Sequence, residues 1–289
     1  MIPEAFEYHT PTTLSEAISM LQTYGDEAKI LAGGHSLIPM MKLRLATPEQ
    51  LIDINHIAGL DYIREEGGYL RIGALTREVA LEDTPLIPEK YPILFDTAKM
   101  IADPQVRNLA TIGGNLAHGD PGNDHPATML ALGARVEAVG PNGSRVSPLT
   151  DFFVNFYTTA LEPDEILTEI QIPIPPAGSG GAYFKLERKV GDYATVGVAA
   201  QLTLDAAGAC SYVGIGLTNV GYIPIKATRS EAFLRGKAPT EANIAEAARM
   251  AAEDSQPSAD LRGPEDYKRA MVKELTKRAL RLAAERAGH

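Results

Sequence analysis

The sequence has one cysteine, Cys210, and no tryptophan. A single thiol makes no internal disulfide. It also cannot hold an iron–sulfur cluster, which takes several thiolates. Positive charge is short as well: 27 Lys and Arg stand against 37 Asp and Glu, a net charge of −10. Nucleic acid binding therefore has no general electrostatic support, and no nucleic acid partner is expected. No apolar run nears the roughly 20 residues that span a bilayer, so no transmembrane segment is expected. The first residues, Met1 to Phe6, lack the basic and apolar regions of a signal peptide, which points to a cytoplasmic location. Two phosphate-binding fingerprints are missing too. Neither G-x-G-x-x-G nor G-x-x-x-x-G-K-[ST] occurs, so neither a Rossmann dinucleotide site nor a P-loop is supported.

What is present is ordinary globular composition, 289 residues with 45% hydrophobic, enough for two or three domains. Leu14 to Tyr24 has helical spacing, with Thr13 or Ser15 as cap and Gly25 as stop. Lys29 to Leu31, then a helix over 37–45, then a strand over Gln50 to Ile54 make a β-α-β unit. A hairpin follows (62–64 with 69–74), then a short helix capped by Thr76. A helix over Tyr91 to Ile101 is closed by Pro104. Three strands, 183–188, 195–204 and 210–218, suggest an antiparallel meander, and from Arg229 the chain is helical, with breaks at Pro239 and Gly263-Pro264. Pro173, Pro175 and Pro176 with Gly178, Gly180 and Gly181 mark a boundary. The expected division is 1–56, 57–176 and 177–289.

Two glycine pairs are the main signal. Ala32-Gly33-Gly34-His35-Ser36 leaves a strand and opens a helix, where converging backbone N–H groups suit phosphate. The plain alternative is a tight turn with a Ser cap. Thr111-Ile112-Gly113-Gly114-Asn115 opens a stretch with four glycines and two prolines between residues 111 and 126, which reads as largely irregular and mobile. Two such turns in one chain suggest a ligand with two phosphates. Asp124 sits where a helix cap belongs. His118, Asp120, Asp124 and His125 also carry metal-ligand chemistry, though without the rigid spacing of a metal motif. His35-Ser36 lacks the second glycine of a hydrolase elbow. Lys185, Arg188, Lys189, Asp192 and Tyr193 form a charged strand end. The last helix shows an apolar side (Tyr267, Met271, Leu275, Leu282), and its basic residues, Lys268 among them, form a solvated face.

Taken together, residues 32–45 with Leu51-Ile52-Asp53-Ile54, residues 110–115 with 119–124, and residues 185–194 resemble the flavin-binding subunits of the molybdenum hydroxylases, the family of xanthine dehydrogenase. The resemblance covers essentially the whole chain. It implies an α+β fold: two α/β FAD-binding subdomains of the PCMH, vanillyl-alcohol-oxidase-like type, then a C-terminal domain of a small antiparallel sheet and helices. It implies that Ala32, Gly33, Gly34, His35 and Ser36, with Thr111, Gly113, Gly114 and Asn115, bind the pyrophosphate of FAD. Asp124 would hold the ribose or ribityl side. Ile101, Ala102 and Leu167 would touch FAD along its length, and Lys185 and Tyr193 would lie near the isoalloxazine. Removing the charge of Lys185 would then lower the flavin potential. No catalytic residue and no metal belong to this chain. The partners implied are a large molybdenum subunit with molybdopterin and a small subunit with [2Fe–2S] clusters, in a dimer of heterotrimers. Any membrane contact would be peripheral, through the assembled complex. Carbon monoxide, purines, aldehydes and heterocycles are the candidate substrates, oxidised on the large subunit. A stand-alone flavin oxidoreductase and a metal-dependent hydrolase are the rival classes.

Overall fold

The architecture follows from a computed structural model that describes residues 2–288. The first unit is small and parallel. Strand β1 (Glu7–His9), helix α1 (Leu14–Tyr24), strand β2 (Ala28–Leu31), helix α2 (Leu37–Lys42) and strand β3 (Gln50–Asp53) form a three-stranded sheet, order β1-β3-β2. Local signals set α1. Thr13 accepts from the Glu16 N–H while Glu16 reaches back to the cap, and Gly25 stops it at φ 54°. Reciprocal capping of this kind satisfies two otherwise orphaned donors. Ala17, Ile18 and Leu21 then pack on Ile52 and Ile54.

The middle unit has an antiparallel five-stranded sheet in the order β4-β5-β10-β6-β7. Its elements are β4 (Ile63–Glu66), β5 (Tyr69–Gly73), α3 (Glu78–Asp83), α4 (Leu86–Lys90), α5 (Pro92–Met100), α6 (Pro104–Arg107), α7 (Ile112–His118), α8 (His125–Ala131), β6 (Arg135–Gly140), β7 (Gly143–Pro148), a β8–β9 hairpin (Phe153–Asn155 with Thr158–Thr159) and β10 (Ile166–Pro173). Three expectations change here. Thr76 caps nothing: its hydroxyl bonds the Tyr62 backbone, and Arg77 stands at the cap of α3. Pro104 opens α6 behind an Asp103 cap, a position where its missing N–H costs nothing. The stretch 111–126 is mostly ordered, with two helices, and residues 119–132 are all buried.

The third unit lays α9 (Thr228–Leu234), α10 (Glu241–Asp254) and α11 (Glu265–Ala287) on a four-stranded antiparallel sheet. Its strands are β11 (Ser179–Leu186), β12 (Val196–Leu204), β13 (Cys210–Thr218) and β14 (Ile225–Lys226). Gly180 and Gly181 lie inside β11, not in a linker, because α11 runs against that strand. A Cβ on Gly180 would stand 2.3 Å from the Ala283 carbonyl oxygen. The buried face of α11 is Lys268, Val272, Leu275, Thr276, Ala279, Leu280 and Ala283. Tyr267 is outside it, and Lys268 is buried with its ammonium on Asp260 and the Ser258 carbonyl. The solvated basic face therefore begins beyond Lys268.

This third unit grips the middle one by its main chain. Tyr212 donates to the Ala131 carbonyl at 2.8 Å, Lys226 to Leu130 at 2.9 Å, Thr218 to Asn123 at 2.6 Å and the Asn219 N–H to Pro121 at 2.8 Å. Helix α8 lies flat on β13, since a Cβ on Gly216 would meet the Ala127 oxygen at 1.9 Å. Among the described residues no helix is long and apolar enough to cross a membrane.

Candidate functional site

A trough runs between the first two units and ends under the third. Its first lobe, about 320 Å³, is walled by residues 32–37 on one side and by Ala110, Thr111, Gly114 and Asn115 on the other. The second, about 440 Å³, lies between α2, the β8–β9 hairpin and Tyr193. His35, Ser36 and His118 line both lobes and form the waist.

The turn at 32–36 is shaped by what it must approach. A Cβ on Gly33 would stand 2.5 Å from the Leu109 oxygen and 2.6 Å from the Ala110 Cα, so only glycine lets the two units close here. Gly34 has φ +77°, a region that L side chains rarely enter. Below the turn, Asn55 donates to the Ala32 carbonyl at 2.8 Å, and Arg77 joins Asn55 to the Leu109 carbonyl. Asp53 closes the network, accepting from Asn55 and from the Tyr8 hydroxyl. Burial alone would raise the Asp53 carboxyl, but these donors outweigh it and hold the group below the ordinary 3.8. Among the described residues, the N–H groups of Gly33, Gly34, His35 and Ser36 find no protein acceptor. Four free donors in succession fit an anionic diphosphate. Ser36 makes no side-chain cap on α2, which corrects that reading and leaves its hydroxyl at the waist.

The second glycine pair works differently. Gly113 and Gly114 lie within the first turn of α7, and their N–H groups are spent, on the Ala74 carbonyl and the Thr111 hydroxyl. Their purpose is closeness: a Cβ on Gly113 would meet Ala74 Cβ at 2.5 Å. Thr111, Gly114 and Asn115 do face the first lobe. Asn115 Oδ1 is buried with no partner, an acceptor that suits a ligand hydroxyl better than a phosphate oxygen.

Six predicted site residues line neither lobe. Gly113 is packed on Ala74, and Leu167 is in the β10 core. Ile101 is buried, and Ala102, at φ 43°, supports Gly191 in the loop before Tyr193. Asp124 and Lys185 are joined at 2.9 Å behind the wall. Tyr183 also donates to Asp124, and Lys185 to the Met100 carbonyl. Burial raises the Asp124 carboxyl above its ordinary value, with Lys185 and Tyr183 opposing. The Lys185 ammonium is balanced by Asp124 and, at 3.6 Å, by Glu187. Asp124 makes no side-chain cap on α8.

The four metal-ligand types at 118–125 part company. His125 pairs with Glu78 in the core, Asp124 with Lys185, and Asp120 accepts from Tyr157 and the Gly122 N–H. Among the described residues no group of three or more His, Cys, Asp or Glu is placed to hold a metal ion. Sequence reasoning missed Asn55, Arg77, Tyr157, Asn219 and Arg262. Asn55, Arg77 and Tyr157 stand in no glycine-rich stretch, which was the signal used, while Asn219 lies among Gly214, Gly216 and Gly221, glycines of a strand and the turn after it.

Residues 4–175 match the family model described as the FAD binding domain in molybdopterin dehydrogenase, and residues 181–283 match the CO dehydrogenase flavoprotein C-terminal domain. The chain is 48% identical to the carbon monoxide dehydrogenase medium chain of Hydrogenophaga pseudoflava, over 98% of each. A solved structure of the carbon monoxide dehydrogenase of that organism, lacking the Mo-pyranopterin moiety, superposes with a TM-score of 0.96 at 50% identity, covering 99% of each chain. Quinoline 2-oxidoreductase from Pseudomonas putida 86 superposes at 0.93 with 35% identity over all of both chains.

Proposed function

The chain belongs to the FAD-binding family of the molybdopterin dehydrogenases, and from that premise we propose that it is the flavin-carrying medium subunit of an aerobic carbon monoxide dehydrogenase. The observation that carries this is the turn at 33–36, whose four unpartnered N–H groups border the first lobe and, at His35 and Ser36, the place where the two lobes meet. A dinucleotide with a central diphosphate has that shape. Bound there, FAD supplies redox chemistry that collects electrons singly and passes them on in pairs. This chain supplies position. Gly33 to Ser36 take the diphosphate, Thr111 and Asn115 take hydroxyls of the first lobe, and Tyr193 and Tyr157 wall the second. Asp124 and Lys185 act from behind that wall and keep the loop before Tyr193 in register.

The partners are a large subunit that oxidises carbon monoxide at a molybdenum centre and a small subunit with [2Fe–2S] clusters, arranged as a dimer of heterotrimers. A quinone or another acceptor takes the electrons. Cys210, buried and with its thiol pushed up to about 11 by burial, takes no part. The second reading is a flavoprotein subunit for a xanthine, aldehyde or heterocycle dehydrogenase, favoured by the match to quinoline 2-oxidoreductase. Co-expression with a large and a small subunit of this family tests both. Carbon monoxide should bleach the flavin of the assembled complex and leave the isolated chain unchanged. Bleaching by an N-heterocycle and not by carbon monoxide would sink the first reading. Turnover of a small donor by the isolated chain would favour a stand-alone enzyme, for which the second lobe offers little: Asp120 is tied to Tyr157 and Arg262 to Asp192.

A further inference from the structure

We propose that His118 is a proton-linked ligand of the bound cofactor, its imidazolium facing the diphosphate across the waist of the trough. The inference rests on FAD occupying that trough. His118 shares with His35 and Ser36 the distinction of lining both lobes. Those two belong to the turn whose N–H groups stand free, so His118, on α7 of the second unit, borders the same space as those donors.

The ring is held, not loose. It meets the edge of Tyr157 with centroids 5.1 Å apart and planes at 63°. The Tyr157 hydroxyl is fixed on Asp120 at 3.0 Å. Tyr157 has a φ of 51°, a strained conformation for a bulky residue of the kind found where function fixes geometry. The charged and titratable groups around His118 come from every neighbouring element. Asp120 follows it in the chain, Tyr157 comes from the β8–β9 hairpin, and Lys29 and His35 come from the first unit. Tyr193 and Arg262 come from the third, the latter paired with Asp192. Burial draws the imidazole below the ordinary 6.5, with Asp120 opposing. Without an anion the ring is neutral near pH 7, and a diphosphate favours its charged form. FAD binding then takes up a proton.

The sign follows. Below the pKa of the free protein the ring is charged in both states, and affinity is at its maximum and flat. As pH rises from there to the higher pKa of the complex, affinity falls by up to roughly tenfold per pH unit, then levels. His35 is the other imidazole on the trough, on its exposed rim, and is the competitor to exclude.

Titration calorimetry of FAD into the flavin-free full chain, in two buffers of different ionisation enthalpy, counts the protons. Near neutral pH binding should take up protons. ADP-ribose, which carries the same doubly esterified diphosphate without the flavin, should show the same uptake, and riboflavin none. His118→Gln should bind FAD without uptake and with a flat pH profile, whereas His35→Gln should keep both. Should His118→Gln bind too weakly to measure, His118→Lys, cationic throughout this range, should restore binding with no slope. Uptake that survives in His118→Gln, or that vanishes only in His35→Gln, overturns the proposal. FAD binding with no uptake in the native chain overturns it while leaving the trough as the flavin site. No FAD binding at all overturns the reading of the trough beneath it.

Discussion

Replacing Gly33 by alanine adds one carbon and should cost FAD affinity. The position is not one of unusual φ, so the cost is steric. The new Cβ would meet the Leu109 oxygen at 2.5 Å, the Ala110 Cα at 2.6 Å and the Thr111 nitrogen at 2.9 Å. All three are backbone atoms, and they cannot swing aside. The Leu109 carbonyl is held by Arg77, and the Ala110 carbonyl by the Glu78 N–H. Relief comes only by parting the two walls at the waist, which pulls the free N–H groups off the diphosphate. Overpacking of this kind costs about 1–3 kcal/mol, which corresponds to roughly 5- to 150-fold in affinity. Flavin absorbance of the purified protein and a titration of the stripped protein with FAD measure it. Gly34→Ala is the calibrating variant. It carries the left-handed penalty of about 1–2 kcal/mol, but its Cβ meets only the movable Ile38 and Leu31 side chains. Gly33→Ala with native flavin content and native affinity would refute the reasoning, because the waist would then not be where the cofactor is held.

Lys185→Met strands the buried Asp124 carboxylate and should destabilise the protein by about 3–5 kcal/mol. Lys185→Met with Asp124→Asn should recover most of that in chemical denaturation, and additive losses would dissolve the pairing argument. Tyr8→Phe removes a donor from Asp53. The depressed carboxyl contributes stability above its ordinary 3.8 that is lost as pH falls through the lower folded value. The variant should therefore melt earlier at neutral pH, by about 1 kcal/mol for so exposed a hydroxyl, and the gap should close in acid. A gap independent of pH would point to packing instead. Gly216→Val should break the α8–β13 contact, costing about 3 kcal/mol or more, visible as early melting of the third unit.

How far the sequence carried differs from element to element. The span of helix α1 was legible because its apolar spacing and Gly25 are local signals, while the cap stood open between Thr13 and Ser15 until the Glu16 contact fixed it on Thr13. The β-α-β unit and the meander were legible from hydrophobic periodicity. The glycines were legible as special but not in their reasons. Gly34 serves a turn, whereas Gly33, Gly113 and Gly180 admit a neighbouring backbone from far along the chain, which composition does not reveal. The buried face of α11 was read with its apolar residues displaced, because Lys268 is drawn inward by Asp260 and Ser258, a loop contact outside any helical period. The waist was half legible: the turn at 32–36 stood out, while His118 and Tyr157 meet only through the fold.

The third unit holds the middle one through carbonyl oxygens at 121, 123, 130 and 131, a group that every residue carries. Side chains at those four positions can therefore change without removing these bonds, provided the path of the chain is kept. The joint is a standard fitting with a keyed contact, the Asp124 carboxylate on Lys185 and Tyr183. A third unit taken from a diverged relative that keeps a cation for Asp124 should seat on this middle one, and recombination between family members has a ready seam between β10 and β11, at residues 174–178.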